Sequence, residues 1–156
     1  VEELRHRFEF PGMSILQFAF GSDADCIDLP HNYSKNLVAY SGTHDNDTTV
    51  GWWESKGEGS TRSPQQVKKE KDYAKRYLRM DGTEINWTFI QTLMASVAQT
   101  VIFPMQDVLG LGTEARMNRP GQSIGNWQWR CKEGQLTESI SQRLSELCET
   151  YGRVPK

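Results

Sequence analysis

With 156 residues, 37% of them hydrophobic and 24% charged, and a net charge of −2, the chain is long enough for one globular domain with a buried core. Such a balance supplies no positive field for gathering phosphates, which argues against nucleic acid as a partner. Cys26, Cys131 and Cys148 are widely spaced without a C-x-x-C pair, so neither a zinc site nor a disulfide framework is expected.

No apolar run approaches the roughly 20 residues needed to cross a bilayer. The charged opening Val1-Glu2-Glu3-Leu4-Arg5 reads as helix rather than as a secretory signal, and the absence of an initiator Met makes it look like the middle of something longer. A short helix is expected from Val1 to Phe8, with Leu4 and Phe8 on one face. Pro11-Gly12 breaks it. The nearly continuous apolar run Ser14 to Phe20 then predicts a strand covered on both faces. A polar stretch leads to a second strand, Asn36 to Tyr40, ending at Ser41-Gly42. Gly51 to Ser63 reads as loop.

Ser63-Pro64-Gln65-Gln66 predicts a helix start, with Ser63 as N-cap, Pro64 at the first helical position and Gln66 closing a capping box. Val67, Ala74, Tyr77 and Leu78 recur at helical spacing until Asp81-Gly82. The interleaved basic and acidic residues between Lys68 and Arg79 read as a solvated face. Another helix is expected from about Asn86, burying Ile90, Leu93, Met94, Val97 and Ala98. Thr100 to Phe103 forms a third strand, followed by Pro104-Met105-Gln106-Asp107. A last helix follows Thr137, with Ile140, Leu144, Leu147 and Tyr151 on one face and Gly152 as its stop. Strands alternating with helices predict a parallel α/β architecture.

Such folds carry their working residues just beyond the carboxyl ends of the strands. The densest of these segments is Gly42-Thr43-His44-Asp45-Asn46-Asp47-Thr48-Thr49. Its Asx and Thr residues can serve as caps for a following helix. A calcium loop is disfavoured, because Val50 stands where an EF-hand turn needs glycine. A catalytic carboxylate beside a substrate-binding histidine is the third reading. Gly110 and Gly112 lack the third glycine of a dinucleotide fingerprint, and no G-x-S-x-G elbow supports a serine triad. Trp52, Trp53, Trp127 and Trp129 fit packing better than sugar stacking.

Several runs together resemble the 4-α-glucanotransferases (amylomaltases or disproportionating enzymes) of glycoside hydrolase family seventy-seven. Pro11-Gly12-Met13 with Leu16-Gln17-Phe18-Ala19-Phe20-Gly21 looks like that family's sixth barrel strand, and Leu29-Pro30-His31-Asn32-Tyr33 like its next loop. Ser41 to Trp53 is a close match to the seventh-strand motif. Pro104 to Gly112 with Glu114-Ala115-Arg116-Met117-Asn118 is similar to the eighth, and Gly125 to Arg130 to the segment after it.

The resemblance implies the C-terminal part of a (β/α)8 (TIM) barrel, about strands six to eight with their helices, in which residues 1–156 belong to one incomplete catalytic domain. It implies transfer of α-1,4-glucan segments between malto-oligosaccharides or starch-derived glucans by a retaining mechanism, with no cofactor and no metal. By that resemblance Asp45 is the third carboxylate, which stabilises the oxocarbenium-like transition state. His44 hydrogen-bonds the same sugar, and Phe18 and Asn118 line sugar sites. The nucleophile and the acid/base group, about 5–5.5 Å apart in retaining enzymes, would lie upstream of Val1, so the chain alone is expected to be inactive. Glu2 and Glu3 match the helix after the acid/base residue and are not assigned. The resemblance also implies a bacterial-cytoplasmic or plastid location without secretion. An amylase-like hydrolase and a non-catalytic glucan-binding remnant are the alternatives.

Overall fold

The computed structural model describes residues 2–57 and 62–154, without the side chains of Glu2 and His6. Three parallel strands lie side by side in chain order: β1 (Gly12–Ile15), β2 (Leu37–Tyr40) and β3 (Thr100–Ile102). Ile15 pairs with Tyr40, and Tyr40 with Ile102, so the three strands end in register. Because side chains alternate across a strand, Leu37, Ala39 and Val101 face the helices. Ile15, Tyr40 and Ile102 line the other face and the cleft above it.

Six helices accompany the sheet among the described residues: α1 (Glu2–Arg7), α2 (Thr49–Glu54), α3 (Pro64–Leu78), α4 (Ile85–Met94), α5 (Met105–Val108) and α6 (Glu138–Thr150). Val1, expected to open the first helix, lies outside the described residues. Leu4 and Phe8 both remain exposed, at 62% and 57%.

The expected strand through Phe20 stops at Ile15. There the Ile15 amide, on the edge of β1 away from β2, donates to the Asp28 carboxylate at 2.8 Å, and Leu16–Phe18 form a 3-10 turn. The apolar run had two causes. Leu16, Ala19 and Phe20 are buried at helical spacing, while Phe18 is 56% exposed. A short apolar run carries too few residues to separate a period of two from one of 3.6.

The segment expected to be loop after Gly51 begins with α2. Thr48 is its N-cap and accepts from the Gly51 amide at 3.0 Å. Helix α3 starts as predicted, with Ser63 and Gln66 bonding reciprocally across the capping box. It ends at Leu78, before Asp81-Gly82, because Arg79 takes a left-handed conformation at φ 52°.

Helix α4 separates two hydrophobic clusters. Its stripe Ile85, Phe89 and Leu93 joins Leu16, Phe20, Trp52 and Ala74, while Trp87, Ile90 and Met94 join Val108 and the apolar face of α6. Phe20 sits at the centre of the first cluster, with ring centroids 5.9–6.2 Å from those of Trp52, Tyr73, Tyr77 and Phe89. Full burial of a side chain such as Leu16 or Phe20 stabilises the fold by roughly 1.5–3 kcal/mol.

Helix α4 stops at Met94, so Val97, expected in its buried stripe, is 61% exposed, and Ala98 is buried outside the helix. Arg153 explains the stop. Its guanidinium donates to the carbonyls of Leu93, Met94, Ser96 and Ala98 at 2.7–3.3 Å, satisfying acceptors that another helical turn would have used. Helix α6 begins at its Thr137 cap as expected. Arg143 fixes it against α4 by pairing with Glu84 and lying 4.2 Å over the Trp87 ring.

Candidate active site

Residues 42–48 leave the carboxyl end of β2 and turn into α2. Local chemistry shapes the turn: the Asn46 side-chain oxygen accepts from both the Thr43 amide and the Thr43 hydroxyl at 2.9 Å. A Cβ on Gly42 would lie 2.7 Å from Gln17 Nε2, so glycine is what admits the neighbouring chain. Through that opening the buried Gln17 reaches the Asp47 carbonyl at 2.9 Å, tying the loop to the turn after β1.

The Asx and Thr residues of this segment divide between two tasks. Asp47 and Thr48 work inward: Asp47 accepts from the Thr48 amide and, at 2.8 Å, from the Thr113 hydroxyl, and Thr48 caps α2. A Cβ on Gly51 would come within 2.5 Å of Asp47 Oδ1, so glycine is needed there too. His44 and Asp45 point outward, with side chains 54% and 51% exposed. Capping and an outward-facing charge are therefore both present.

Asp45 is held from the loop after β3. Asn118 Nδ2 donates to its Oδ1 at 2.5 Å, and Arg116 Nη2 donates to its backbone carbonyl at 2.7 Å. The Asn118 amide donates to the His44 carbonyl at 3.1 Å. His44 Nε2 lies 3.3 Å from Asp45 Oδ2. Asn118, expected to touch sugar, is thus found on the carboxylate itself.

Trp127 was expected to pack. It is instead 54% exposed, with its ring centroid 5.0 Å from that of His44 and a left-handed backbone at φ 63°. Its amide donates to the Met117 carbonyl at 2.7 Å, which anchors this unfavourable conformation. Trp52 and Trp53 do pack, Trp52 at 7% exposure.

A cleft of about 1110 Å³ opens over this face of the sheet. Phe18, Tyr40, His44, Asp45, Ile102 and Arg116 are among its walls. Phe18 and Asp45 thus share one cavity, from opposite sides of the β1–β2 junction. Glu70, also on the cleft wall, is buried and pairs with Arg62 at 2.6 Å. Burial outweighs that cation and raises the Glu70 carboxyl above its ordinary value.

Asp107 went unassigned in the sequence, although it lies in the Pro104 to Gly112 run after the third strand. It is 1% exposed and accepts from Ser41 Oγ, the Thr49 amide and Thr49 Oγ1 at 2.6–2.8 Å. Burial pushes its carboxyl up, and the three donors oppose that shift. Among the described residues no group of three or more His, Cys, Asp or Glu side chains could hold a metal ion. None of the described helices is long and apolar enough to cross a membrane.

Asp45 is a half-exposed carboxylate beside an imidazole, on a loop tied to both neighbours, and the cleft it lines also carries several hydrogen-bonding groups. The family model described as 4-alpha-glucanotransferase matches residues 1–137. The chain is 46% identical to a chloroplastic/amyloplastic 4-alpha-glucanotransferase of Arabidopsis thaliana over 158 residues, which is 99% of the chain and 26% of that protein. It is 43% identical to a 4-alpha-glucanotransferase of Thermus thermophilus over 162 residues, 99% of the chain and 30% of the relative. In three dimensions it is similar to the amylomaltase from Streptococcus agalactiae solved in complex with acarbose. The TM-score is 0.86 at 39% identity, over 99% of the chain and 30% of that protein. The chain belongs to the 4-alpha-glucanotransferase family.

Proposed function

We propose that residues 1–156 are the C-terminal part of a (β/α)8 barrel, strands six to eight, in a retaining 4-α-glucanotransferase that passes α-1,4-glucan segments between malto-oligosaccharides or starch-derived glucans. Three parallel strands ending in register, with the cleft beyond their carboxyl ends, support this reading. The rest of the barrel, with the nucleophile and the acid/base carboxyl, would come from elsewhere in the complete protein. Location in the bacterial cytoplasm or in a plastid follows from the same reading, the Arabidopsis relative being named chloroplastic/amyloplastic.

One observation carries the assignment: Asp45, half-exposed in the cleft, is fixed by Asn118 and His44 while keeping its charge toward the cavity. As the glycosidic bond breaks, positive charge grows at the anomeric carbon and ring oxygen. An anion already in place attracts that charge more than it attracts the neutral substrate, so it lowers the barrier rather than merely tightening binding. The His44 imidazole supplies a hydrogen bond to a hydroxyl of the same sugar. The exposed Phe18 ring lines the wall against which that sugar rests, and Asn118 orients the carboxylate beside it.

In the complete enzyme, Asp45→Asn should lower turnover on maltotriose by about 10²-fold or more. Folding should be nearly unchanged, because Asp45 sits on a loop and not in the packing. A variant with wild-type turnover would remove the assignment. Products longer than the donor mark transfer, whereas reducing ends without such products mark hydrolysis.

A further inference from the structure

Asp107 closes the loop that carries Asp45. Ser41 is the residue directly after β2, and Thr49 is the first residue of α2. Both end on the same buried carboxylate: Ser41 Oγ donates to Oδ2 at 2.6 Å, Thr49 Oγ1 to Oδ2 at 2.8 Å, and the Thr49 amide to Oδ1 at 2.7 Å. Asp107 is itself immobilised. It lies in α5, is 1% exposed, and its carbonyl accepts from the buried Asn86 side chain at 2.8 Å. Residues 42–48 are therefore a loop whose two ends meet at one side chain, while its tip, with His44 and Asp45, is half-exposed and held from outside by Asn118, Arg116 and the Trp127 ring.

Charge-assisted bonds to a carboxylate are short and directional, so the acceptor's position sets the spacing of the loop's ends. That spacing, together with the Asn118 and Arg116 ties, sets where the tip projects. We propose that Asp107 is a positioning residue, which places Asp45 and His44 in the cleft by gathering both ends of their loop onto one buried carboxylate. The proposal rests on the reading of Asp45 as the transition-state-stabilising group.

Asp107→Asn preserves shape and the Oδ1 acceptor of the Thr49 amide, but it removes the charge and turns a donor toward the two hydroxyls, which weakens the tie at both ends at once. In the complete enzyme acting on maltotriose, kcat should fall about 10²-fold, the loss that a displacement of about 1 Å brings, with KM held within about threefold. A merely structural role would give the same loss in any background. A positioning role acts through Asp45, so in an Asp45→Asn enzyme the added Asp107→Asn should change kcat by less than about fivefold.

A full loss of about 10²-fold in that background overturns the proposal and leaves the reading of Asp45 standing. Wild-type turnover of Asp45→Asn alone overturns both. Should Asp107→Asn fail to fold, Thr49→Val decides, since it removes one donor and keeps volume and amide. Turnover about tenfold down, recovered to within about twofold in Thr49→Ser, supports the proposal. Wild-type turnover in Thr49→Val overturns it.

Discussion

Replacing Asn118 by Ala in the complete enzyme removes one donor from Asp45 while leaving the loop's backbone ties in place. The Asn118 amide still reaches the His44 carbonyl at 3.1 Å, and Arg116 Nη2 still reaches the Asp45 carbonyl at 2.7 Å. What disappears is the 2.5 Å bond from Nδ2 to Oδ1. A hydrogen bond to a charged group contributes about 1.5–3 kcal/mol when water is shut out. Asp45 is 51% exposed, so water replaces much of the lost donor and the effect shrinks to about 1 kcal/mol. Since 1.4 kcal/mol is tenfold, the expected fall in kcat/KM is about fivefold. Initial rates of glucose release from maltotriose measure it, with an unchanged melting midpoint as the control. A loss beyond about 10²-fold would mean that Asn118 does more than orient the carboxylate. A loss below about twofold would mean that the bond orients nothing. Either result refutes the reasoning.

Glu70→Gln should change how stability depends on pH. Burial holds the Glu70 carboxyl above 4.5 in the folded state, so its contribution is complete below that value and is lost as pH rises through the raised one. The wild type's advantage in melting midpoint over the variant should therefore shrink as pH rises from 4.5, and a constant difference would contradict this. Ser63→Ala breaks the capping box of α3 and should cost about 1 kcal/mol in denaturant unfolding, against only a few tenths for Ser63→Gly; equal losses in the two variants would contradict the capping role. Trp127→Ala removes the ring beside His44. An aromatic contact of about 0.5–1.5 kcal/mol predicts a severalfold higher KM for maltotriose, which Trp127→Phe largely restores. An unaltered KM would assign that ring no part in holding the sugar wall.

What could be read along the chain was whatever a few adjacent residues decide. Ser63, Pro64 and Gln66 announced a helix start, and Thr137 another, because a capping side chain bonds an amide three positions away. The cores of β2 and β3 followed from apolar residues between turn signals. The segment from Ser41 to Trp53 pointed to Asp45 and His44 through its resemblance to a family, since no spacing rule distinguishes a cap from a catalytic carboxylate.

Contacts between distant residues decided the rest. Strand β1 ended at Ile15, where Asp28 takes the edge amide and the chain turns through Leu16–Phe18. Arg153 stopped α4 from the far end of the chain, which left Val97 outside. Helix α2, too short to be stable alone, exists because Trp52 packs into the core and Asp107 receives its first amide. Asn118 meets Asp45 across 73 positions of sequence. A local pattern reports the conformation a segment prefers. Which side chain completes a hydrogen bond, and so where a charge finally points, depends on groups that only folding brings near.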